Sequence, residues 1–464
     1  MSGNIETTRK KIKICVIGAG AAGLCAIRHL SNDLISFEPA VFEQSEVIGG
    51  TWVYSEKTQA DLGHPIHSSM YKNLRTNLPL QLMNFPDFQR MDQTEPSCGT
   101  HEQIQKKSFK EKLFNEGPVN GNHRRRCKTF KQGLDAAVQR CLINSNHRRR
   151  YEAFKRRLDP AFNMKIINVE PILKEEDWRK TEWKVTIKNL KTDLVEENNF
   201  DAVLICNGHY SEPKIPKISG IETFSGDVMH SHDYRCPEKY TGKTVIILGA
   251  GPSGIDIGIE ITGYATHVYL SHNGPRFSSA LPQNMTEITR VKFVNGNEFH
   301  LTDATTVVAD DLLYCTGYNF SFPFLDETCH IKVDNDHVNT LFNHLINIKH
   351  PKMAFVGIPF KVIPFPMFHI QVQYFLKLLR GQVTLPSLEV MIEDSKVKTN
   401  KAHALEALQW EYNDYLADAA GIDKLPKFYK IGYSEWSVKR TENLLRYKYS
   451  KIEIIDDQTV KISI

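Results

Sequence analysis

Lys11-Ile-Lys-Ile-Cys-Val-Ile17 runs directly into Gly18-Ala-Gly20-Ala-Ala-Gly23 and then into Leu24-Cys-Ala-Ile-Arg-His-Leu30. The first stretch, rich in β-branched residues, predicts a buried strand, and the last predicts a helix. Between them G-x-G-x-x-G stands in its proper strand–turn–helix setting. Gly18 permits the tight turn, Gly20 lets the backbone approach a pyrophosphate, and Gly23 lets helix and strand pack closely. The helix start offers unpaired N–H groups to the anion. Pro39-Ala-Val-Phe-Glu43 predicts the second strand. It ends in Glu43, twenty residues after Gly23, where a carboxylate accepts ribose hydroxyls.

The pattern returns downstream. Thr244-Val-Ile-Ile-Leu248 predicts a strand, and Gly249-Ala-Gly251-Pro-Ser253-Gly254 leads into a helical run to Ile261. The next strand, His267-Val-Tyr-Leu270, ends in Ser271-His272-Asn273 without an acidic residue. An acid there would repel a 2′-phosphate, so its absence, with Arg276 nearby, favours NADP over NAD. Two dinucleotide sites in one chain imply a flavin nucleotide and a nicotinamide nucleotide with hydride passing between them. A disulfide reductase would also need a redox cysteine pair, and the nine cysteines contain no C-x-x-C.

Composition agrees with a globular protein of two or three domains: 464 residues, 41% apolar and 24% charged. A net charge of +4 gives no case for a nucleic-acid partner. The polar start does not read as a signal peptide, and Phe355 to Val372, the most apolar stretch, is broken by three prolines. No transmembrane anchor and a reduced, cytoplasmic location are therefore expected, with peripheral membrane association left open. The charge is uneven. Between Gln105 and Arg157 sixteen basic residues face four acidic ones, a balance of +12, and Asn-His-Arg-Arg-Arg occurs twice, at 122–126 and 146–150. With no sustained apolar periodicity, residues 105–157 read as an atypical basic insertion that buries little.

Further motifs carry a resemblance. Phe224, Gly226, His230 and Tyr234 form F-x-G-x-x-x-H-x-x-x-Y; Glu43, Gly49, Gly50 and Trp52 form E-x5-G-G-x-W. Tyr71-Lys-Asn-Leu-Arg-Thr76-Asn77-Leu-Pro79 is followed much later by two strand-to-loop turns, Cys206-Asn-Gly-His209 and Cys315-Thr-Gly317-Tyr318. In these motifs the chain resembles the flavin-containing monooxygenases, class B flavoprotein enzymes. In detail it is similar to the insect members that include the pyrrolizidine alkaloid N-oxygenases, although Pro364-Phe-Pro-Met-Phe-His369 departs from the vertebrate pattern. Baeyer–Villiger relatives carry Trp-Pro where this chain has Tyr234-Arg235.

The resemblance implies an α/β fold of two doubly wound, Rossmann-like dinucleotide-binding domains. The FAD domain would comprise 1–213 and 319–464, and the inserted NADP domain 214–318. It implies FAD, NADPH and dioxygen, a C4a-hydroperoxyflavin, and N- or S-oxygenation of an amine or sulfide, with no metal. A homodimer is left open. The site residues expected are Gly18, Gly20, Gly23, Glu43, Gly50, Trp52 and Thr76 for one cofactor. Gly249, Gly251, Ser253, Gly254, Ser271, Arg276 and Gly317 would serve the other. Asn77 is the expected catalytic amide, holding the nicotinamide and the oxygenated flavin. His230 is not expected to be catalytic and reads equally as a structural histidine of the linker, and His369 is left unassigned, a core role favoured over a chemical one. Competing expectations are a catalytically impaired nucleotide-binding or scaffold protein and, further off, a Baeyer–Villiger enzyme.

Overall fold

The computed structural model describes residues 10–58, 66–87, 160–173, 180–396 and 402–463, so the basic stretch 105–157 lies outside the described residues. Two parallel sheets built to one plan organise the chain. In the first, Ile12–Ile17 lies between Phe37–Glu43 and Ala202–Ile205, flanked in turn by Ala161–Phe162 and Met353–Phe355. These neighbours are all parallel, with Ile14 opposite both Pro39 and Ala202. Two short strands, Leu341–Phe342 and Ile346–Asn347, extend the sheet antiparallel. In the second, Thr244–Leu248 lies between His267–Ser271 and Asp311–Tyr314, with Met285–Ile288 and Asp227–His230 at the edges, again all parallel.

The central strands are nearly continuous apolar runs because both of their faces are covered. On one face of the first sheet lies the helix Ala21–Ser31, which buries Ala21, Ala22, Gly23, Cys25, Ala26 and Leu30. Small residues in its first two turns allow it to sit close to the strands. Pro364–Leu379 packs beside it in the same core. The second sheet receives Pro252–Ile261, whose proline occupies the first turn, where its missing N–H costs nothing. A three-stranded antiparallel sheet covers the opposite face in each case. Met164–Ile172, Glu182–Asn189 and Val195–Phe200 press Trp183, Val185 and Ile187 against Cys15, Ile17 and Val203. Val291–Asn295, Glu298–Leu301 and Thr306–Val308 do the same with Phe299 and Leu301 against Ile246 and Leu248.

The second sheet enters between strands of the first, and the two crossings run side by side. Glu212–Pro213 pairs antiparallel with Tyr318–Asn319. Lys214 N–H donates to the Gly317 carbonyl at 2.9 Å, and the Thr316 hydroxyl donates to the Lys214 carbonyl. Gly317 takes φ +82°, which a Cβ would strain. After the first sheet closes, the helices Gln409–Ala420 and Phe428–Glu442 and the hairpin Lys451–Ile454/Val460–Ser463 follow. Phe428, Tyr429 and Ile452 fold back onto Leu82, which anchors the strap 66–87. Among the described residues no helix is long and apolar enough to cross a membrane.

Candidate active site

The three glycines of the first turn have separate duties. At Gly18, φ is +97° and an added Cβ would lie 2.6 Å from the Cys206 carbonyl oxygen; at Gly23 it would lie 1.9 Å from that of Gly18. Gly20 differs. It has an ordinary φ of −73°, and its Cβ would meet only the Gly50 backbone, at 3.6 Å. Its remaining surroundings are open, as a pyrophosphate lying against the backbone requires. Gly50, at φ +55°, stands in the single turn Gly50–Trp52, and a Cβ there would come 3.0 Å from Gly20 Cα. Trp52 then turns its ring edge-on to Phe365. Glu43 is 6% exposed; Oε2 accepts from Ala19 N–H at 2.7 Å and Oε1 from Ser45 N–H at 2.8 Å. Each carboxylate oxygen retains a lone pair for a ribose hydroxyl.

The second turn repeats the first closely. At Gly249 φ is +103° and a Cβ would stand 2.5 Å from the Cys315 carbonyl oxygen; at Gly254 it would stand 1.8 Å from that of Gly249, and at Gly251 it would meet nothing within 4 Å. Cys206 N–H donates to Ile17 at 2.9 Å and Cys315 N–H to Leu248 at 2.8 Å, so each Cys-x-Gly turn seats its partner glycine turn. Half-buried Ser253 stands in the first turn of the following helix. Ser271 is buried and donates its hydroxyl to the Thr289 carbonyl at 2.9 Å.

Beside Gly249 opens a cavity of about 260 Å³ whose lining includes Ser271, Asn273, Lys217, Arg290 and Lys292. Arg276 is exposed and is not among the lining residues. The cations that face the cavity come from the entry to the three-stranded sheet and from the crossing segment. No spacing relative to the glycines announces them. A carboxylate also approaches this loop from a neighbouring strand: Glu287 Oε1 lies 2.9 Å from His272 Nε2 and accepts from Phe277 N–H at 3.0 Å. These bonds turn it into the protein, and it does not line the cavity.

The strap packs Tyr71 and Leu74 into the core of the second sheet and Leu78 beside Ala21 and Trp52, so Thr76 and Asn77 stand between the two. Thr76 is buried and its Oγ1 has no hydrogen-bond partner, an orphaned hydroxyl that a bound cofactor would satisfy. Together with the open side of Gly20 and the Glu43 carboxylate, it makes the residues present fit a flavin dinucleotide. Asn77 is held from the far end of the chain. Its carbonyl accepts from Trp436 Nε1–H at 2.9 Å, and its Oδ1 accepts from the Tyr447 hydroxyl at 3.4 Å. The amide N–H2 end is thereby directed away from Tyr447 as the donor. Trp436 and Tyr447 pack edge to face on each other. They stand 359 and 370 residues from Asn77, beyond any sequence spacing rule.

His230 ends an edge strand of the second sheet, and its Nδ1 accepts from His232 N–H at 3.0 Å. Burial, helped by His232, pushes this imidazole down to about 4, so it is neutral at pH 7. Five residues on, buried Arg235 donates to the carbonyls of Ser55, His232 and Tyr234 at 2.7, 2.7 and 2.9 Å, tying the crossing to the strap region. In the sequence Arg235 marks only the difference from the Baeyer–Villiger pattern. His369 sits 3.1 Å from His29, with Arg28 bonded to Asp87 between them as the resident cation. Burial pushes His369 down to about 4. The six described cysteines are free thiols, and burial pushes Cys25 and Cys315 up to about 12, far from reactive thiolates.

This geometry has known counterparts. The sequence profile of the flavin-binding monooxygenase-like family matches residues 10–112, 160–294 and 281–431. A flavin-containing monooxygenase of Arabidopsis thaliana, FMO GS-OX-like 2, is 30% identical over 446 residues, covering 89% of this chain and 86% of its own. The structure of S-allyl-L-cysteine S-oxygenase from Allium sativum superimposes with a TM-score of 0.76 at 28% identity, covering 95% of both chains. Tmm from Pelagibacter sp. strain HTCC7211 shares the fold, with a TM-score of 0.76 at 23% identity over 97% of this chain and 96% of its own. Matched by that profile over most of its length and by a relative at 30% identity over 89% of it, this chain belongs to the flavin-binding monooxygenase-like family and is a flavin-dependent monooxygenase.

Proposed function

We propose that the enzyme uses NADPH and dioxygen to transfer one oxygen atom to the nitrogen or sulfur of a small, soft nucleophile. In this reading residues 1–213 and 319–464 hold FAD, and 214–318 hold NADPH. The observation that carries it is Asn77. Trp436 holds its backbone carbonyl and the Tyr447 hydroxyl reaches its side-chain amide, and it follows the unpartnered Thr76 hydroxyl on the strap between the two glycine turns. When bound, the flavin supplies two-electron chemistry and activation of oxygen. This chain's residues do the rest. Gly20 and Gly251 admit the pyrophosphates, and Glu43 takes ribose hydroxyls. Arg290 and Lys292 meet the 2′-phosphate, and Asn77 presents a fixed N–H donor to the reacting centre, a preorganised dipole that need not reorganise during the reaction. Met83, Phe365, Phe85 and Phe368 wall the neighbouring strap and keep water away.

A sulfide substrate has the support of the Allium S-oxygenase, which is named for a thioether amino acid. An alkaloid amine has the support of the insect-like motifs. Reduction of the purified flavin by NADPH without oxygen, then admission of air with a thioether or a tertiary amine, tests the proposal. Sulfoxide or N-oxide carrying one atom from labelled dioxygen is expected. NADPH consumption that ends wholly in hydrogen peroxide, or a colourless protein, would overturn it. Ester from a cyclic ketone would point to Baeyer–Villiger chemistry instead.

A further inference from the structure

One turn past the second glycine motif, Asp256 leaves the helix Pro252–Ile261 and reaches the strap. Its Oδ2 accepts from the Tyr71 hydroxyl at 2.7 Å, and its Oδ1 accepts from Lys448 Nζ at 2.5 Å. The Lys448 side chain is only 8% exposed. Its ammonium also donates to the Arg75 carbonyl at 2.9 Å, while Arg75 Nη2 donates back to the Lys448 carbonyl at 2.6 Å. Four residues further along the same helix face, Glu260 accepts from Asn73 Nδ2 at 2.6 Å and from the Tyr234 hydroxyl at 2.7 Å. Burial, reinforced by the Asp256 charge, raises the Tyr71 hydroxyl well above its ordinary range, so it remains a donor.

We propose that Asp256 and Lys448 are a positioning pair that sets the helix behind the nicotinamide-nucleotide turn against Asn77. The inference rests on the reading that the first turn holds flavin and the second NADPH. Lys448 follows Tyr447, the residue that grips the Asn77 amide, and it is cross-braced to Arg75, two residues before Asn77. A displacement of the helix is therefore passed to Asn77 through the Lys448 side chain, the peptide bond to Tyr447 and the Tyr447 side chain. A mostly buried ammonium is costly unless a carboxylate stays beside it, as Asp256 does. That cost penalises arrangements of the two sheets that take Asp256 away from Lys448. Hydride transfer depends on where the helix sets the nicotinamide turn against the first turn, not on the Asn77 amide: a misplacement of about 1 Å there costs on the order of 10²-fold in rate.

The test uses the flavin-loaded enzyme with Asp256→Asn, Lys448→Met, the double variant, Lys448→Arg and Tyr71→Phe. Flavin content, the rate of flavin reduction by NADPH without oxygen, and amide hydrogen exchange in 71–79 and 252–261 are measured for each. Asp256→Asn and Lys448→Met are expected to keep their flavin, to slow reduction roughly 10- to 100-fold, and to speed exchange in both segments together. The double variant should be no slower than the worse single one. Lys448→Arg should restore part of the rate, and Tyr71→Phe, which removes only one hydroxyl, should give a smaller loss in the same direction. Additive losses in the double variant, slowed reduction with unchanged exchange, or rates within about twofold of the parent would overturn the pair. An unsubstituted enzyme whose flavin NADPH does not reduce would instead overturn the cofactor reading, and the exchange measurements would still judge the pair.

Discussion

Gly20→Ala and Gly23→Ala add the same methyl group to the same turn and should fail in different ways. At Gly23 the new carbon would lie 1.9 Å from the Gly18 carbonyl oxygen, so the backbone must move. Overpacking of this kind costs about 1–3 kcal/mol or more. At Gly20 the backbone already sits at φ −73°, which alanine adopts freely, and the nearest atom is 3.6 Å away. The reduced freedom of the unfolded chain contributes about 0.4–1 kcal/mol of stability. Loss of glycine at the helix N-cap costs about as much, so the protein itself should change by less than about 1 kcal/mol. The methyl group instead occupies the side on which the pyrophosphate lies. Losing one or two charge-assisted N–H···O bonds at about 1.5–3 kcal/mol each weakens flavin binding roughly 10- to 150-fold per bond. Flavin absorbance per protein and thermal melts with and without added FAD separate the two effects. Gly20→Ala should fold normally and purify pale, whereas Gly23→Ala should melt early whatever the FAD concentration. A Gly20→Ala protein that keeps unit flavin at parental affinity would refute the placement of the pyrophosphate.

Asn77→Ala should leave flavin reduction intact while raising the ratio of hydrogen peroxide to oxygenated product roughly 10-fold, the worth of one hydrogen bond to a charged group at about 1.5–3 kcal/mol. Trp436→Phe should shift the same ratio less, and an unchanged ratio in both would reduce Asn77 to a turn residue. Arg290→Ala should lower kcat/KM for NADPH by about 1–3 kcal/mol, with NADH nearly unaffected; equal losses for the two would remove the 2′-phosphate from this cavity. Acid should destabilise the fold through His230. Its imidazole is held down to about 4 by burial, so between pH 6.5 and 4 the unfolded chain binds the extra proton. Stability is flat above pH 6.5 on this account and declines below it by up to about 1.4 kcal/mol per pH unit. His230→Gln should flatten that decline in melts at pH 7 and pH 5, and an identical slope would assign the acid sensitivity to other groups.

Both nucleotide turns were legible because their demands fall on consecutive residues. A positive φ at Gly18 and Gly249, and no room for a Cβ at Gly23 and Gly254, are requirements of the local backbone, which glycine alone meets. The strands beside them were legible because two covered faces leave no place for polar side chains. Even the paired crossings at Pro213 and Gly317 left a trace in stiff and permissive residues. The cations that line the cavity beside Gly249 were not legible: Lys217, Arg290 and Lys292 face it, while Arg276, named from the sequence, is exposed and outside that lining. A phosphate contact needs only a charge at the right point in space, and any strand that returns there can supply it. Nor could Glu287 be foreseen beside His272, since it arrives from the next strand of the sheet. The support of Asn77 shows the limit most plainly. Its position was marked by the strap motif, but Trp436 holds its backbone carbonyl and Tyr447 its side-chain amide, and what ties that support to the second sheet is Lys448 on Asp256. Such contacts are chosen by packing between segments hundreds of residues apart, and no periodicity or spacing along a chain encodes which distant side chain will arrive.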